Sequence, residues 1–413
     1  MRSALLFAVV LPFRAFACTA FTTTHNGHTY VGCNEDSWSI NANVRFEQGR
    51  DGQHGAIYFA HFNGHPTRTM FDQLGMNAAG LVFDGLVVGP GPVKRRAALP
   101  AVETSDAILH ILRTCANVQE VEAYLRTVNT GPLVGQLFFC DAQGGYLVLE
   151  PDTLFTGNGP WYALGNWRMS SCSDPATIPI PRLQAGRQLL MNGAGATLES
   201  AEEVLSSMKA CRRKLGEGTL FSVLFDPQEA QAHLYFYHDF NQRVTFDLKE
   251  ELAKGDRTVD MASLFGARPE YDWLKNYHTP FHQRWLFWTL LAMAVLAMVL
   301  GAVNLIQLLA RSVAKLRGRQ SGSFIEPLLA GLALSALIGL IGVLLMQEGV
   351  YYFGLANVHP ALAWAPILIV VLGGAFIWLA KRNGAPSWQR ATTAALLLPM
   401  PAACAYWGML MPW

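Results

Sequence analysis

Residues 18–38 read CTAFTTTHNGHTYVGCNEDSW, and the order of those residues decides what the N-terminal part of the chain can be. Two β-prone segments, Ala20–Thr24 and His28–Gly32, flank Asn26-Gly27, a dipeptide that strongly favours a two-residue hairpin turn. A hairpin returns its second strand alongside its first. Cys18, at the open end of one strand, and Asp36, at the end of the other, are therefore expected side by side.

The segment upstream has the parts of an export signal. Met1-Arg2 gives a positive start, Ala4 to Leu11 an apolar core too short to span a bilayer, and Ala15 and Ala17 the small residues required before a cleavage site. Cleavage after Ala17 makes Cys18 the first residue of the mature chain, carrying both a thiol and a free α-amine. The thiol is then the nucleophile, and the amine, with a reference pKa of ~8, takes its proton without a distant histidine. Two other readings of the leader stay open. One is an ordinary signal peptide followed by an incidental cysteine; the other is a lipoprotein signal, with Cys18 thioether-linked to lipid and its amine acylated. Phe16, and Ala15 where leucine is usual, argue against the second.

The chain has 413 residues, 51% of them hydrophobic and only 15% charged, and the apolar excess is concentrated at its end. Four runs, Trp285–Ala310, Pro327–Met346, Ala361–Ala380 and Ala391–Met411, are each long enough to cross a hydrocarbon core of ~30 Å. The loop after the first holds Arg311, Lys315, Arg317 and Arg319, and the loop after the third holds Lys381, Arg382 and Arg390. Residues 347–360 have no lysine or arginine. The positive-inside rule puts the basic loops in the cytoplasm and the segment before the first run outside, in agreement with the leader. Trp273, Tyr277, Trp285 and Trp288 read as an interfacial belt. A formal net charge of +1 offers no nucleic-acid surface.

The seven cysteines form no CxxC pair and no zinc-like cluster with histidine, so no metal and no cofactor are expected. Cys172 with Cys211 is the first disulfide pairing to consider, and spacing alone does not choose among the alternatives. His25 and His28 flank one turn and His61 and His65 another, and all read as exposed turn residues. Further strands are expected at Ala56–Phe62, Thr67–Gln73, Leu81–Val88, Gln136–Cys140, Gly145–Glu150, Leu220–Phe225 and His233–His238. Helices are expected at Ser105–Leu125 and Ser200–Lys214. Strands, then helices, then strands indicate an α+β layered domain.

Here the residues carry a resemblance. Cys18-Thr19-Ala20-Phe21, Asn26-Gly27 and Gly32-Cys33-Asn34-Glu35-Asp36 resemble the start of the N-terminal-nucleophile linear amide hydrolases, with their terminal cysteine, hairpin and Gly-x-Asn-x-Asp signature. That superfamily includes choloylglycine hydrolases, penicillin V acylases, acid amidases and the acyl-CoA:6-aminopenicillanate acyltransferase family. Gly75-Met76-Asn77-Ala78-Ala79-Gly80-Leu81, Leu164-Gly165-Asn166-Trp167, Arg182 with Arg187, and Thr219 to Pro227 resemble later motifs in the same order. The resemblance covers roughly residues 18–250.

It implies a four-layer αββα N-terminal-nucleophile (Ntn) hydrolase sandwich in residues 18–265, after a signal peptide in 1–17. A linker in 266–284 and an all-α transmembrane region of four helices in 285–413 (about 285–310, 327–346, 361–380 and 391–411) complete the expected layout. By resemblance Cys18 is the nucleophile, Asp36 orients its thiol and amine, and Asn166 donates to the oxyanion. Arg182 and Asn34 are the candidate substrate contacts, with Arg182 equally readable as a partner for a carboxylate. Cys33 stands where many relatives have arginine and raises the prospect of a disulfide with Cys18. Val87 stands where one branch has a second asparagine donor.

The implied activity is hydrolysis of a linear, non-peptide amide of an N-acyl compound through a thioester on Cys18. A lipid-like small-molecule substrate suits a membrane-tethered domain. Acyl transfer to an amine by the same nucleophile is one alternative. A membrane sensor, transporter or binding lipoprotein with an inactive domain is another. The expected location is the plasma (inner) membrane, with the N-terminal domain exported and the C-terminus outside.

Overall fold

The computed structural model describes residues 18–37, 39–62, 70–88, 98–129, 135–212, 217–319, 323–382 and 387–410. The expected leader, the turn at residues 63–66 and Trp38 lie outside the described residues, as does the side chain of Cys211. The chain divides into two compact units with their boundary between Tyr277 and His278.

The first unit opens with a hairpin. Strands β1 (Thr19–His25) and β2 (His28–Ser37) pair from His25 opposite His28 to Thr19 opposite Asn34. Asn26 and Gly27 make the turn with φ of 52° and 80°, the left-handed pair that matches the twist of the two strands. A meander of β3 (Ala42–Glu47), β4 (Ala56–Phe62), β5 (Met70–Asn77) and β6 (Val82–Leu86) follows. Helices α1 (Thr104–Thr114) and α2 (Val118–Leu125) lead to β7 (Gln136–Cys140), β8 (Tyr146–Glu150), β9 (Thr153–Gly157) and β10 (Trp161–Gly165). Helices α3 (Pro181–Met191) and α4 (Leu198–Ser207) precede β11 (Cys211–Arg212), β12 (Glu217–Asp226), β13 (Gln231–Phe236) and β14 (Asp239–Asp247). The unit closes with α5 (Leu248–Ala253), β15 (Arg257–Asp260) and α6 (Pro269–Lys275).

The strands form two antiparallel sheets. One runs β10-β1-β2-β12-β13-β14, with β11 on β12, and the other β15-β3-β4-β5-β6-β7-β8-β9. Their inner faces meet through aromatic side chains, Phe59 lying 6.3 Å from Phe221 and 5.9 Å from Phe225 between ring centroids. Alternation along each strand sends the intervening residues outward. Tyr58, Phe83, Phe139 and Leu147 thus pack against Ile108, Ile111 and Leu112 of α1 and Val121 of α2 on the outer face of the second sheet. Helices α3 and α4 cover the outer face of the first. The order is helix, sheet, sheet, helix, an α+β architecture.

Two local expectations change. The single helix expected over Ser105–Leu125 is two, because Cys115 turns to an extended conformation and Asn117 starts a new helix by accepting the Glu120 amide. The stretch expected as a linker from residue 266 instead holds α6, with Tyr271 buried and its hydroxyl donating to the Ile40 carbonyl at 2.7 Å.

In the second unit three segments are long and apolar enough to cross a membrane: α7 (Arg284–Leu316), α8 (Ile325–Met346) and Pro360–Arg382. Their mean hydropathies are 2.4, 2.6 and 2.3. The last follows a short α9 (Val350–Phe353) and becomes α10 (Ala365–Arg382) after a 3₁₀ turn. The fourth run, expected as one helix, is broken into α11 (Ser387–Leu397) and α12 (Pro399–Tyr406). Pro399 lacks the amide that would continue the ladder, and its ring crowds the preceding turn. Inside this unit Gln389 of α11 donates to Asn304 of α7 at 3.3 Å, tying the two helices through buried polar groups.

Asn77 ends β5 in the Gly-Met-Asn-Ala-Ala-Gly-Leu stretch and is fully buried. Its Nδ2 donates to the Leu112 and Cys115 carbonyls at the end of α1, at 2.9 and 2.8 Å. Its Oδ1 accepts the Ala79 and Leu81 amides. Asn77→Ala strands all four, with an expected cost on the order of 3 kcal/mol, read as a lower apparent melting temperature of the detergent-solubilised chain.

Candidate active site

The last residues of β2 alternate across their sheet, so neighbours in sequence serve opposite faces. Asn34 points to the helical side. Its Nδ2 donates to the Leu205 carbonyl of α4 at 3.0 Å and to Thr19 Oγ1 at 3.2 Å, while its Oδ1 accepts from Ser222 Oγ at 2.5 Å. With both Nδ2 hydrogens spent inside the fold, Asn34 braces β1, β2, β12 and α4.

Asp36 points the same way. Arg182, in the first turn of α3, reaches Asp36 Oδ2 at 2.5 Å, and Thr219 Oγ1 donates to Oδ1 at 2.7 Å. Burial pushes the Asp36 carboxyl up to about 6, while Arg182 and Thr219 pull it back toward the carboxylate. The guanidinium of Arg182 is therefore engaged with Asp36, although its Nη1 is buried with no hydrogen-bond partner among the described residues. Of the two readings of Arg182, the structure has the carboxylate partner.

Cys18 is 4% exposed and sits one residue before β1, across from Glu35. Its thiol donates to Glu35 Oε2 at 3.4 Å, and the Asp36 backbone N–H is directed at the sulfur. Burial, reinforced by the charges of Glu35 and Asp36, pushes the thiol well above its ordinary range. The carboxyl expected to hold the thiol was Asp36. Strand alternation turns Asp36 toward Arg182 and gives the contact to Glu35.

Glu35 continues the chain of contacts on the inner side. Its Oε1 accepts from His61 Nε2 at 3.1 Å, and His61 Nδ1 lies 3.4 Å from Ser37 Oγ. Both residues are buried. His61 belongs to β4, whose course to Phe62 carries it inside, so it is no exposed turn histidine. A third buried carboxyl, Asp84 of β6, stands beside Cys33 and is pushed well up by burial and by the charge of Glu35. Cys33 and Cys18 are both free thiols, as is Cys172. Among the described residues no cluster of three or more His, Cys, Asp or Glu side chains is arranged to hold a metal.

Asn166 reaches the site through β10, whose Gly165 pairs with Thr19. Its Nδ2 donates to the Val87 carbonyl, which leaves one amide hydrogen, and its buried Oδ1 has no hydrogen-bond partner among the described residues. The loop after it is pinned by buried Glu150. Glu150 Oε1 accepts the Met169 and Ser170 amides at 2.6 and 3.3 Å and Gln136 Nε2 at 3.2 Å. Val87 and Trp167 flank Asn166 in sequence or contact and are 53% and 38% exposed. The site thus has a polar floor and an apolar rim.

The sequence reading missed Glu35 and His61. The signal for Glu35 was present, since a residue between Asn34 and Asp36 on one strand must face the other way. His61 carried no such signal, because its partner comes from a strand of the other sheet.

No family model matches the chain, and no curated protein matches it. Solved structures are similar to part of the chain. One is a variant of the conjugated bile acid hydrolase from Clostridium perfringens, 13% identical, with a TM-score of 0.46 over 59% of this chain and 96% of that one. Another is penicillin V acylase from Agrobacterium tumefaciens, also 13% identical, with a TM-score of 0.42 over 59% of this chain and 86% of that one.

Asp36 gives the site a measurable acid signature. Its folded pKa of about 6 exceeds the ordinary 3.8, so between those values the folded chain holds a proton that the unfolded chain has lost. Its contribution to stability therefore falls as pH rises through that window and is level above it. Urea unfolding should show wild type losing stability relative to Asp36→Asn by on the order of 2 kcal/mol as pH rises across the window.

Proposed function

We propose that this chain hydrolyses a linear amide of an N-acyl compound, with Cys18 as nucleophile once the leader is removed before it. What supports the reading is a buried thiol at the open end of the β1–β2 hairpin, flanked by the Glu35 carboxyl and the Asp36 backbone N–H, with an asparagine amide one strand away. The ordered motifs of residues 18–250 point to the same chemistry, that of the N-terminal-nucleophile linear amide hydrolases.

Because the thiol is held protonated, attack needs a nearby proton carrier. Cleavage before Cys18 supplies one, an α-amine attached to the nucleophilic residue itself. Asp36, paired with Arg182, holds the hairpin end and aims its amide at the sulfur. The sulfur adds to the amide carbonyl, and the free hydrogen of Asn166 Nδ2 meets the oxyanion, a contact worth ~3 kcal/mol in such sites. The amine leaves, and water releases the acid from the thioester.

The exposed Val87 and Trp167 beside Asn166 suit an apolar acyl group. The three apolar helices of the second unit suit an anchor in the membrane from which a lipid-like N-acyl substrate is drawn, with the first unit on the outer side. The test is amine release from a panel of N-acyl amines and N-acyl amino acids by wild type and Cys18→Ser, with the N-terminus determined by mass. At least one compound should be cleaved by wild type only, by a chain beginning at a free Cys18. Equal release by both proteins, or an acylated Cys18 amine in the active protein, overturns the reading.

A further inference from the structure

The Cys18 thiol points at a carboxyl that the proposed function leaves without a task. Glu35 lies across the hairpin from Cys18 and touches the sulfur with Oε2 at 3.4 Å, while His61 holds its Oε1 at 3.1 Å. His61 is itself placed by Ser37 at 3.4 Å. A buried carboxyl oriented on one side by an imidazole and aimed on the other at a nucleophile's proton has the geometry of an acid–base group. Neither partner is at the surface, so the arrangement is no solvated ion pair.

The geometry points to Glu35, in place of the α-amine, as the acceptor of the Cys18 thiol proton, with the α-amine serving the leaving group and the water and His61 acting as the positioning residue of Glu35. The inference rests on the amide-hydrolase reading given above. In acylation the S–C bond forms as the S–H bond breaks, and the proton passes to Glu35 Oε2. As the C–N bond breaks, the departing amine takes a proton from the α-ammonium of Cys18. In deacylation the neutral α-amine takes a proton from the attacking water, and protonated Glu35 returns its proton to sulfur as the C–S bond breaks. Both carriers end as they began.

The transfer is uphill for the resting thiol, because burial and the charges of Glu35, Asp36 and Asp84 all favour its protonated form. It completes only as the forming bond to carbon takes charge off the sulfur. Cys33, buried beside Asp84, also feels Glu35, and Arg182 is occupied by Asp36. Among these groups His61 is the one paired with Glu35 itself.

Glu35→Gln separates this role from simple support, since it removes a charge that disfavours the thiolate and also removes the proton carrier. The full-length protein in detergent is assayed with N-decanoyl 4-nitroanilide, and Cys18 alkylation by iodoacetamide is followed against pH by peptide mass. The expected result is at least about a tenfold loss of kcat for Glu35→Gln, together with a lower pH midpoint for Cys18 alkylation. Buried Cys33 and Cys140 should stay unlabelled. A smaller loss, or a midpoint that stays or rises, overturns the inference.

If Cys33 or Cys140 becomes labelled, the variant has opened, and His61→Ala with His61→Gln decides instead. His61→Ala should lower kcat and His61→Gln, whose amide donates from about the same place, should restore part of it; equal rates overturn the inference. Cys18→Ser tells the two layers apart. Anilide cleavage by Cys18→Ser at the wild-type rate sinks the amide-hydrolase reading itself, whereas an inactive Cys18→Ser beside an active Glu35→Gln sinks only the role of Glu35.

Discussion

The left-handed turn at Asn26-Gly27 sets the register of β1 against β2, and that register places every group at the nucleophile. With His25 opposite His28, Thr19 falls opposite Asn34, and Cys18 one step further falls opposite Glu35. A slip of one residue would send each side chain of β2 to the other face. Asn34 would then lose α4, and Asp36 would lose Arg182. The register is locked a second time at Phe21, whose ring covers its cross-strand partner Gly32. A Cβ on Gly32 would lie 2.2 Å from that ring. On the far side of β2, β12 carries an irregularity between Thr219 and Phe221, opposite Asp36 and Glu35, beside the Thr219 hydroxyl that bonds Asp36.

That placement makes the corner around Cys18 rich in acid. Buried Glu35 and Asp84 and half-buried Asp36 lie within one region, with Arg182 paired to Asp36 and His61 to Glu35. At an effective dielectric of about 20, two unit charges ~4 Å apart interact by about 4 kcal/mol, enough to decide which groups ionise. Asp84, with no cationic partner among the described residues, is pushed toward its neutral form, and the thiol of Cys18 is kept protonated. What such a corner favours is a further cation. On the proposed function, removal of the leader provides one at the right place, because the new α-ammonium belongs to Cys18 itself. Processing then changes the electrostatics of the site as well as the chemistry of its nucleophile.

Period and turn chemistry made much of the fold legible in the sequence. Asn26-Gly27, the Ala56–Phe62 strand and the late hairpins could be read because strand alternation and left-handed turns leave marks over a few residues. The short strands β3, β9 and β15 left none, because they are stabilised by their neighbours in a sheet more than by their own pattern. The candidate site divides the same way. Cys18 and Asp36 were visible through the hairpin. Glu35, hidden between two motif residues, needed the further step of asking which face each residue serves. His61 needed the packing of one sheet on another, and the bond from Asn34 to α4 needed the helix in place.

The broken fourth apolar run shows how composition and backbone chemistry share the same segment. Its hydrophobic residues suit a single long helix, but Pro399 and Pro401 cannot continue one. Within the second unit the break shortens each helix without shortening the path. At one end Gln389 bonds Asn304, twenty residues into α7, and at the other the Trp407 indole donates to the His278 carbonyl and the His278 amide to the Tyr406 hydroxyl. From the start of α7 to Asn304 is about 30 Å at 1.5 Å per residue, close to the thickness of a hydrocarbon core. Helices α11 and α12 thus run back along the length of α7 as two pieces. One end is tied to α7 through Asn304 and the other to His278, six residues before α7 begins.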